Sequence, residues 1–331
     1  MADQSQRTAL VTGASGYIGS RLVPALLDAG WRVVVLARTP SRLENLGWAS
    51  AVEVVEGDAT DSEVLRRAAA DVDVAYFLLH SMDGKADFER RDRVLAETFA
   101  AATKEVGVVR LVYLSGLHPD VATLSPHLRS RTEVGRILLD SGVPTAVLQA
   151  AVILGSGSAS FEMLRHLTRR LPVMVAPKWL RNRIQPIAIR DVLHCLVAAA
   201  DLPPDVNRTF DIGGPDVLTY AAMIDRFARA DDLRRRVVIT VPVLTPWLAS
   251  HWVGLVTPVP ASIAKPLVGS LIHEVVCKED DIWELVGQPA GGLLGFDAAV
   301  AAALEGSDGR PEPGTVDPAH LTSADPDWAG S

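Results

Sequence analysis

Short, nearly continuous apolar runs alternate along the first half of the chain with longer segments whose apolar residues recur at helical spacing. Runs without polar alternation mark strands buried on both faces, as in a parallel sheet. Six such runs predict strands near 9–12, 32–37, 52–56, 74–79, 110–115 and 145–154. Between them, 17–29, 62–70, 87–106 and 126–141 read as helices long enough to carry a crossover. Repeated right-handed βαβ units of this kind wind into an open sheet with helices on both faces. The expected fold is therefore α/β: a doubly wound parallel sheet with a smaller C-terminal substrate lobe. Beyond Gly155 the pattern loosens, with Pro172, Pro177 and Pro186 punctuating short segments. Residues 1–155 are expected to form the sheet domain, and 156–305 a lobe interleaved with it. Residues 306–331, dense in Gly, Pro, Asp and Ser, are expected to be a disordered tail, since nothing apolar offsets their chain entropy.

Composition narrows the class more than the chemistry. Hydrophobic residues at 48% and charged residues at 22% of 331 are ordinary globular usage. A formal net charge of −8 argues against a nucleic-acid partner, which needs a basic face to release counterions. Cys195 and Cys277 are too few for a zinc site, the histidines are scattered, and no metal is expected. With a polar N-terminus that lacks a leader pattern, two unrelated cysteines point to a reducing cytoplasm. The uncharged stretch 237–264 is broken by Pro242, Pro246, Pro258 and Pro260 into pieces short of the roughly 20 residues that span a bilayer. Around it, 241–272 carries Trp247 and Trp252, which suit either peripheral contact with a membrane interface or packing inside a lobe.

The first strand ends in Gly13-Ala14-Ser15-Gly16-Tyr17-Ile18-Gly19 and passes straight into the first helix. Gly13 suits the tight turn, Gly16 lets backbone approach a pyrophosphate, and Gly19 lets helix and strand pack closely. The helix N-terminus then faces the anion, so Gly13, Ser15, Gly16, Tyr17, Ile18 and Gly19 are assigned to a dinucleotide in a Rossmann-type fold. After the second strand comes Leu36-Ala37-Arg38-Thr39, with no carboxylate for a ribose. Arg38, with Arg42 behind it, suits a 2′-phosphate, which favours NADP(H) over NAD(H). Asp58 and Ala59, after the third strand, are candidates for the adenine, and Leu79 and His80, closing the fourth, for the nicotinamide. Arg181 and Arg183 could hold an anion or form a solvated strand face.

These residues, with Tyr113-Leu114-Ser115-Gly116, Pro186-Ile187-Ala188-Ile189-Arg190-Asp191 and Phe210-Asp211-Ile212-Gly213-Gly214-Pro215, resemble the atypical and extended short-chain dehydrogenase/reductase superfamily, in its NmrA-like branch. The resemblance runs to about Tyr220. It implies an NAD(P)-binding oxidoreductase in which a Tyr, a Lys four residues on and a Ser handle the carbonyl oxygen. Ser115 matches the Ser, whereas His127 stands in the Tyr place and Arg131 in the Lys place. The last two quoted segments look like those that brace the substrate lobe.

Ser125-Pro126 reads as a helix cap and first residue, placing His127 one turn before Arg131 on the same face. Helix dipole and Arg cation both disfavour imidazolium, so a neutral ring is expected, either polarising a carbonyl or holding the helix end. Tyr17 could aim its hydroxyl at the cofactor or pack on the first helix. Two functions follow: an NADP-dependent oxidoreductase acting on a small, apolar organic substrate, or a non-catalytic redox sensor or respiratory or quinone-pathway accessory protein.

Overall fold

The computed structural model describes residues 6–80, 87–119, 124–241, 256–270, 272–306 and 309–330. Strands β1 (Thr8–Thr12), β2 (Arg32–Ala37), β3 (Glu53–Glu56), β4 (Val74–Phe77), β5 (Arg110–Gly116) and β6 (Thr145–Ala150) lie in one parallel sheet. Helices α1 (Tyr17–Asp28), α2 (Ser62–Ala68), α3 (Phe88–Glu105) and α4 (Pro126–Leu139) make the crossovers. Successive strand residues feed opposite cores: Ala9, Val11, Val33 and Val35 face one, Leu10, Val34 and Leu36 the other. Burial on both faces explains why these strands read as unbroken apolar runs.

Beyond the sixth strand the structure departs from expectation. The run 145–154 is two strands: β6 stays in the sheet, and β7 (Ile153–Leu154) leaves it to pair with β10 (Ile187–Ala188). A seventh strand, β11 (Arg208–Ile212), adds to the edge in the order β11-β6-β5-β4-β1-β2-β3. It is the Phe210 segment: its strand lies in the main sheet, while Asp211 and Gly214 hydrogen-bond residues 278–279 and 185–186 of the C-terminal half. Helix α6 (Ile189–Ala198) packs on α1, again under the sheet. The lobe proper is built from α5 (Ala159–Arg170), α7 (Tyr220–Ala230) and two small ribbons. These pair β8 (Val173–Pro177) with β13 (Val237–Val241), and β9 (Arg183–Ile184) with β12 (Leu218–Thr219).

The tail is a second correction, since 309–330 is packed. Arg21 of α1 is buried, and its guanidinium donates to both Asp325 carboxylate oxygens at 2.9 and 2.7 Å. It also donates to the carbonyls of Pro318 (2.8 Å) and His320 (2.9 Å). Ala319, Leu321 and Ala329 add a small apolar footing. Composition misses this because the ordering comes from long-range contacts, among them a buried fork between residues 304 positions apart. Asp325→Ala should lower unfolding free energy by about 3–5 kcal/mol, the cost of stranding a buried guanidinium. Urea denaturation checks it, and unchanged stability would show that the tail contributes nothing.

Candidate functional site

The strand order reverses between β1 and β4, and the crevice above their carboxyl ends is where a doubly wound sheet binds ligands. The glycine turn lies there. Gly13 has φ +77°, and a Cβ on it would sit 2.9 Å from the Leu78 carbonyl oxygen. A Cβ on Gly19 would be 2.3 Å from the Gly13 oxygen, so its absence lets α1 close on the turn. Gly16 differs: its N–H donates to the Gly13 carbonyl at 3.0 Å, and a Cβ would meet only that oxygen, at 3.3 Å. Its open side faces the cleft. Gly16 caps α1 without a side chain, and no acid occupies the first turn, so the free N–H groups there suit a diphosphate.

On one side of the turn is a groove of about 770 Å³, lined by Ser15, Arg38, Arg42, Asp58, Ala59 and Leu79 among others. The Arg38 guanidinium is 77% exposed and 3.9 Å from the Asp58 carboxylate. Asp58 accepts the Thr60 N–H and hydroxyl, both at 2.8 Å. Partial burial works against ionisation, but those hydrogen bonds and Arg38 hold its carboxyl below the usual range. Arg90 and Arg91 of α3 also line this groove. Sequence reading missed them; their signal was their place in the first turn of the helix after the fourth strand.

On the other side is a mostly apolar cavity of about 270 Å³, walled by Leu78, Leu117, Val152, Met163 and Leu267. Gly13 and His80 line both spaces, joining them into one cleft. Ser115, Tyr17 and Tyr220 border this second cavity, and all three hydroxyls are buried without a hydrogen-bond partner among the described residues. Burial pushes both phenols above their usual pKa range. Tyr17 stacks its ring on Arg21 at 4.1 Å, and its hydroxyl occupies the space that a Cβ on Gly155 would take, 2.3 Å away. It therefore packs on its own helix while still bordering the cavity. Tyr220, at the start of α7 behind a Thr219 cap, is a residue the sequence reading missed; it follows a capping Thr, the only local signal.

His127 and Arg131 also line this cavity. Ser125 caps α4 through the Leu128 N–H, and Arg131 Nε donates to His127 Nε2 at 3.2 Å. That bond leaves the proton on Nδ1. Burial and the Arg131 cation push the imidazole down to about 3. Ser115, His127 and Arg131 are thus brought together as expected from their positions. Arg183 is not in the cleft: it forms a fork with Glu274 at 3.0 Å for each bond. Residues 242–255 and 271, including both Trp residues of the stretch 241–272, lie outside the described residues. Among described residues no helix is long and apolar enough to cross a membrane.

Known proteins agree with this geometry. A family model described as NAD(P)H-binding matches residues 13–153. A (4-alkanoyl-5-oxo-2,5-dihydrofuran-3-yl)methyl phosphate reductase of Streptomyces griseus is 32% identical over 66% of this chain and 72% of its own length. Subunit 9 of the NADH dehydrogenase [ubiquinone] 1 alpha subcomplex of Arabidopsis thaliana is 25% identical, and the chain spans 54% of that protein's length. A ceramide reductase of Caulobacter vibrioides is 28% identical over 61% of this chain and 64% of its own. In fold, a Citrobacter triphenylmethane reductase superposes with TM-score 0.70 at 18% identity, covering 90% of this chain and 99% of its own. With its glycine turn, its seven-stranded parallel sheet and these matches, the chain belongs to the NAD(P)H-binding, extended short-chain dehydrogenase/reductase family.

Proposed function

We propose that the protein is an NADP(H)-dependent reductase of the atypical, NmrA-like kind, acting in the cytoplasm on a small apolar substrate that carries one carbonyl or conjugated enone. The observation that carries this reading is the set of three hydroxyls, Ser115, Tyr17 and Tyr220, that have no hydrogen-bond partner among the described residues and surround an apolar cavity beside the glycine turn. A buried polar group left unpaired costs about 1–3 kcal/mol, so oxygens on a ligand are the economical partners. The reductase names borne by the Streptomyces and Caulobacter relatives support the same chemistry.

Gly13, Ser15, Gly16, Ile18 and Gly19 would hold the diphosphate, Arg38 and Arg42 a 2′-phosphate, Asp58 and Ala59 the adenine, and Leu79 and His80 the nicotinamide end. The cofactor, when bound, supplies a hydride. Ser115 donates to the oxygen on which negative charge grows, and Arg131 fixes the tautomer of His127 so that Nδ1–H stays a donor. The apolar wall excludes water from that oxygen. Replacement of the Tyr/Lys pair by His127 and Arg131 favours a second reading, a cofactor-binding sensor or respiratory accessory protein, in line with the complex I relative. Turnover of a panel of ketones, enones and quinones with NADPH separates the two: a silent panel beside tight NADPH binding favours the sensor.

Arg38→Ala should weaken NADPH binding by about 10- to 100-fold, the worth of a charge-assisted fork, and leave NADH nearly unchanged. Calorimetric titration of both cofactors measures it. Equal loss for both, or none, would remove Arg38 as the reader of the 2′-phosphate.

A further inference from the structure

The ribbon of β8 and β13 breaks a rule that the main sheet obeys. Parallel strands are normally covered on both faces. Here Met174 and Ala176 face the core, while Val173, Val175, Val237 and Ile239 are 54, 50, 50 and 48% exposed. The register pairs Val237 with Val173 and Ile239 with Val175, so the four form one continuous apolar face. Isolated surface valines mean little, but a contiguous β-branched face on a two-stranded ribbon is a contact surface.

The charges around it say what kind. Arg234 and Arg235 precede β13 and are exposed, Arg235 with 89% of its side chain in solvent. Lys178 follows β8 and is exposed at the opposite end. Neither strand carries a carboxylate. Of the nearby acids, Asp231 is taken by a fork from Arg169 at 2.7 and 2.8 Å, Asp225 pairs with Arg229 at 3.1 Å and lies 3.9 Å from the exposed Arg235, and Asp232 stays exposed. A chain with net charge −8 thus places cations at both ends of its bare apolar face. In sequence, β13 opens the stretch 237–264, which has no Asp, Glu, Lys or Arg.

We propose that this ribbon is a peripheral docking face for an anionic lipid surface: Val173, Val175, Val237 and Ile239 enter the headgroup boundary, and Arg234, Arg235 and Lys178 meet lipid phosphates. An apolar face ringed by cations is the pattern of interfacial anchoring, in which burial and charge attraction act together. A protein groove would match the valines but gives no reason for cations at both ends.

The test is flotation of the full chain with phosphatidylcholine vesicles, with and without phosphatidylglycerol. Binding is expected only to the anionic vesicles, weakening as salt rises. The double variant Val175→Asp/Ile239→Asp and, separately, Arg234→Gln/Arg235→Gln should each reduce it about tenfold or more. All four positions are at least partly solvent-exposed, so circular dichroism and NADPH affinity should stay as in the parent. No flotation, equal flotation on neutral vesicles, or binding indifferent to both variants would overturn the proposal. So would a dimer, seen by light scattering, that the Val175→Asp/Ile239→Asp variant dissociates, because a second copy would then be the occupant.

Discussion

Gly16→Val should lower NADPH affinity by about 100-fold or more while the protein stays folded. At this position the backbone has φ −86° and ψ 171°, which any L-residue adopts, and the nearest obstacle to a Cβ is a single carbonyl oxygen at 3.3 Å. The cost to the helix cap is therefore a few tenths to about 1 kcal/mol. The branched methyls, however, would stand where the diphosphate meets the first N–H groups of α1. Losing two charge-assisted hydrogen bonds at about 1.5 kcal/mol each already amounts to about two orders of magnitude in Kd. Gly19→Val is the contrast: its Cβ would overlap the Gly13 oxygen and lie 2.7 Å from the Ala14 Cα, so that variant should lose fold and binding together. Thermal unfolding beside a binding titration tells them apart, and a Gly16→Val protein that keeps its affinity would make the turn purely structural.

The contrast between these two glycines shows where sequence reading succeeds and where it stops. Six strands and four helices were legible because each is a local pattern: a strand buried on both faces has no polar residue to interrupt it, and Gly13, Gly16 and Gly19 occur at a spacing that one turn dictates. The seventh strand was not, since Arg208–Ile212 carries Arg208, Thr209 and Asp211 among only two apolar residues and joins the sheet at its edge, by pairing with β6. The packed tail is held by long-range contacts, the buried Arg21–Asp325 fork foremost, which no local window contains. At the site, Ser115, His127 and Arg131 were found from position relative to a strand end and a helix cap. Tyr220 was invisible for the opposite reason: it reaches the cavity from the lobe, through tertiary packing of α7, and nothing in its neighbours marks a phenol that will be buried without a partner. The convergence of three such hydroxyls is a property of the fold alone.

If the protein turns over a carbonyl or enone, Ser115→Ala should cut kcat by about 10²- to 10³-fold, the range for losing one donor to a developing oxyanion, and His127→Gln by less than tenfold. Ser115 lies near the carboxyl end of β5, beside β4, and its buried hydroxyl makes no hydrogen bond among the described residues that would compete with a substrate oxygen. His127 has one nitrogen already engaged by Arg131, so it can offer only Nδ1–H, and a glutamine amide can offer the same kind of donor. The pH profile discriminates further. With its imidazole held down to about 3 by burial and by Arg131, His127 is neutral throughout the range from pH 5 to 8. The kcat/KM profile should therefore show no ionisation near 6.5 that disappears in His127→Gln. Stopped-flow measurement of NADPH oxidation on a substrate found in the panel provides both readings. A His127→Gln loss larger than that of Ser115→Ala, together with removal of an ionisation between pH 5 and 8, would reverse the ranking and make His127 the proton donor, since general acid catalysis contributes typically ~10²-fold or more.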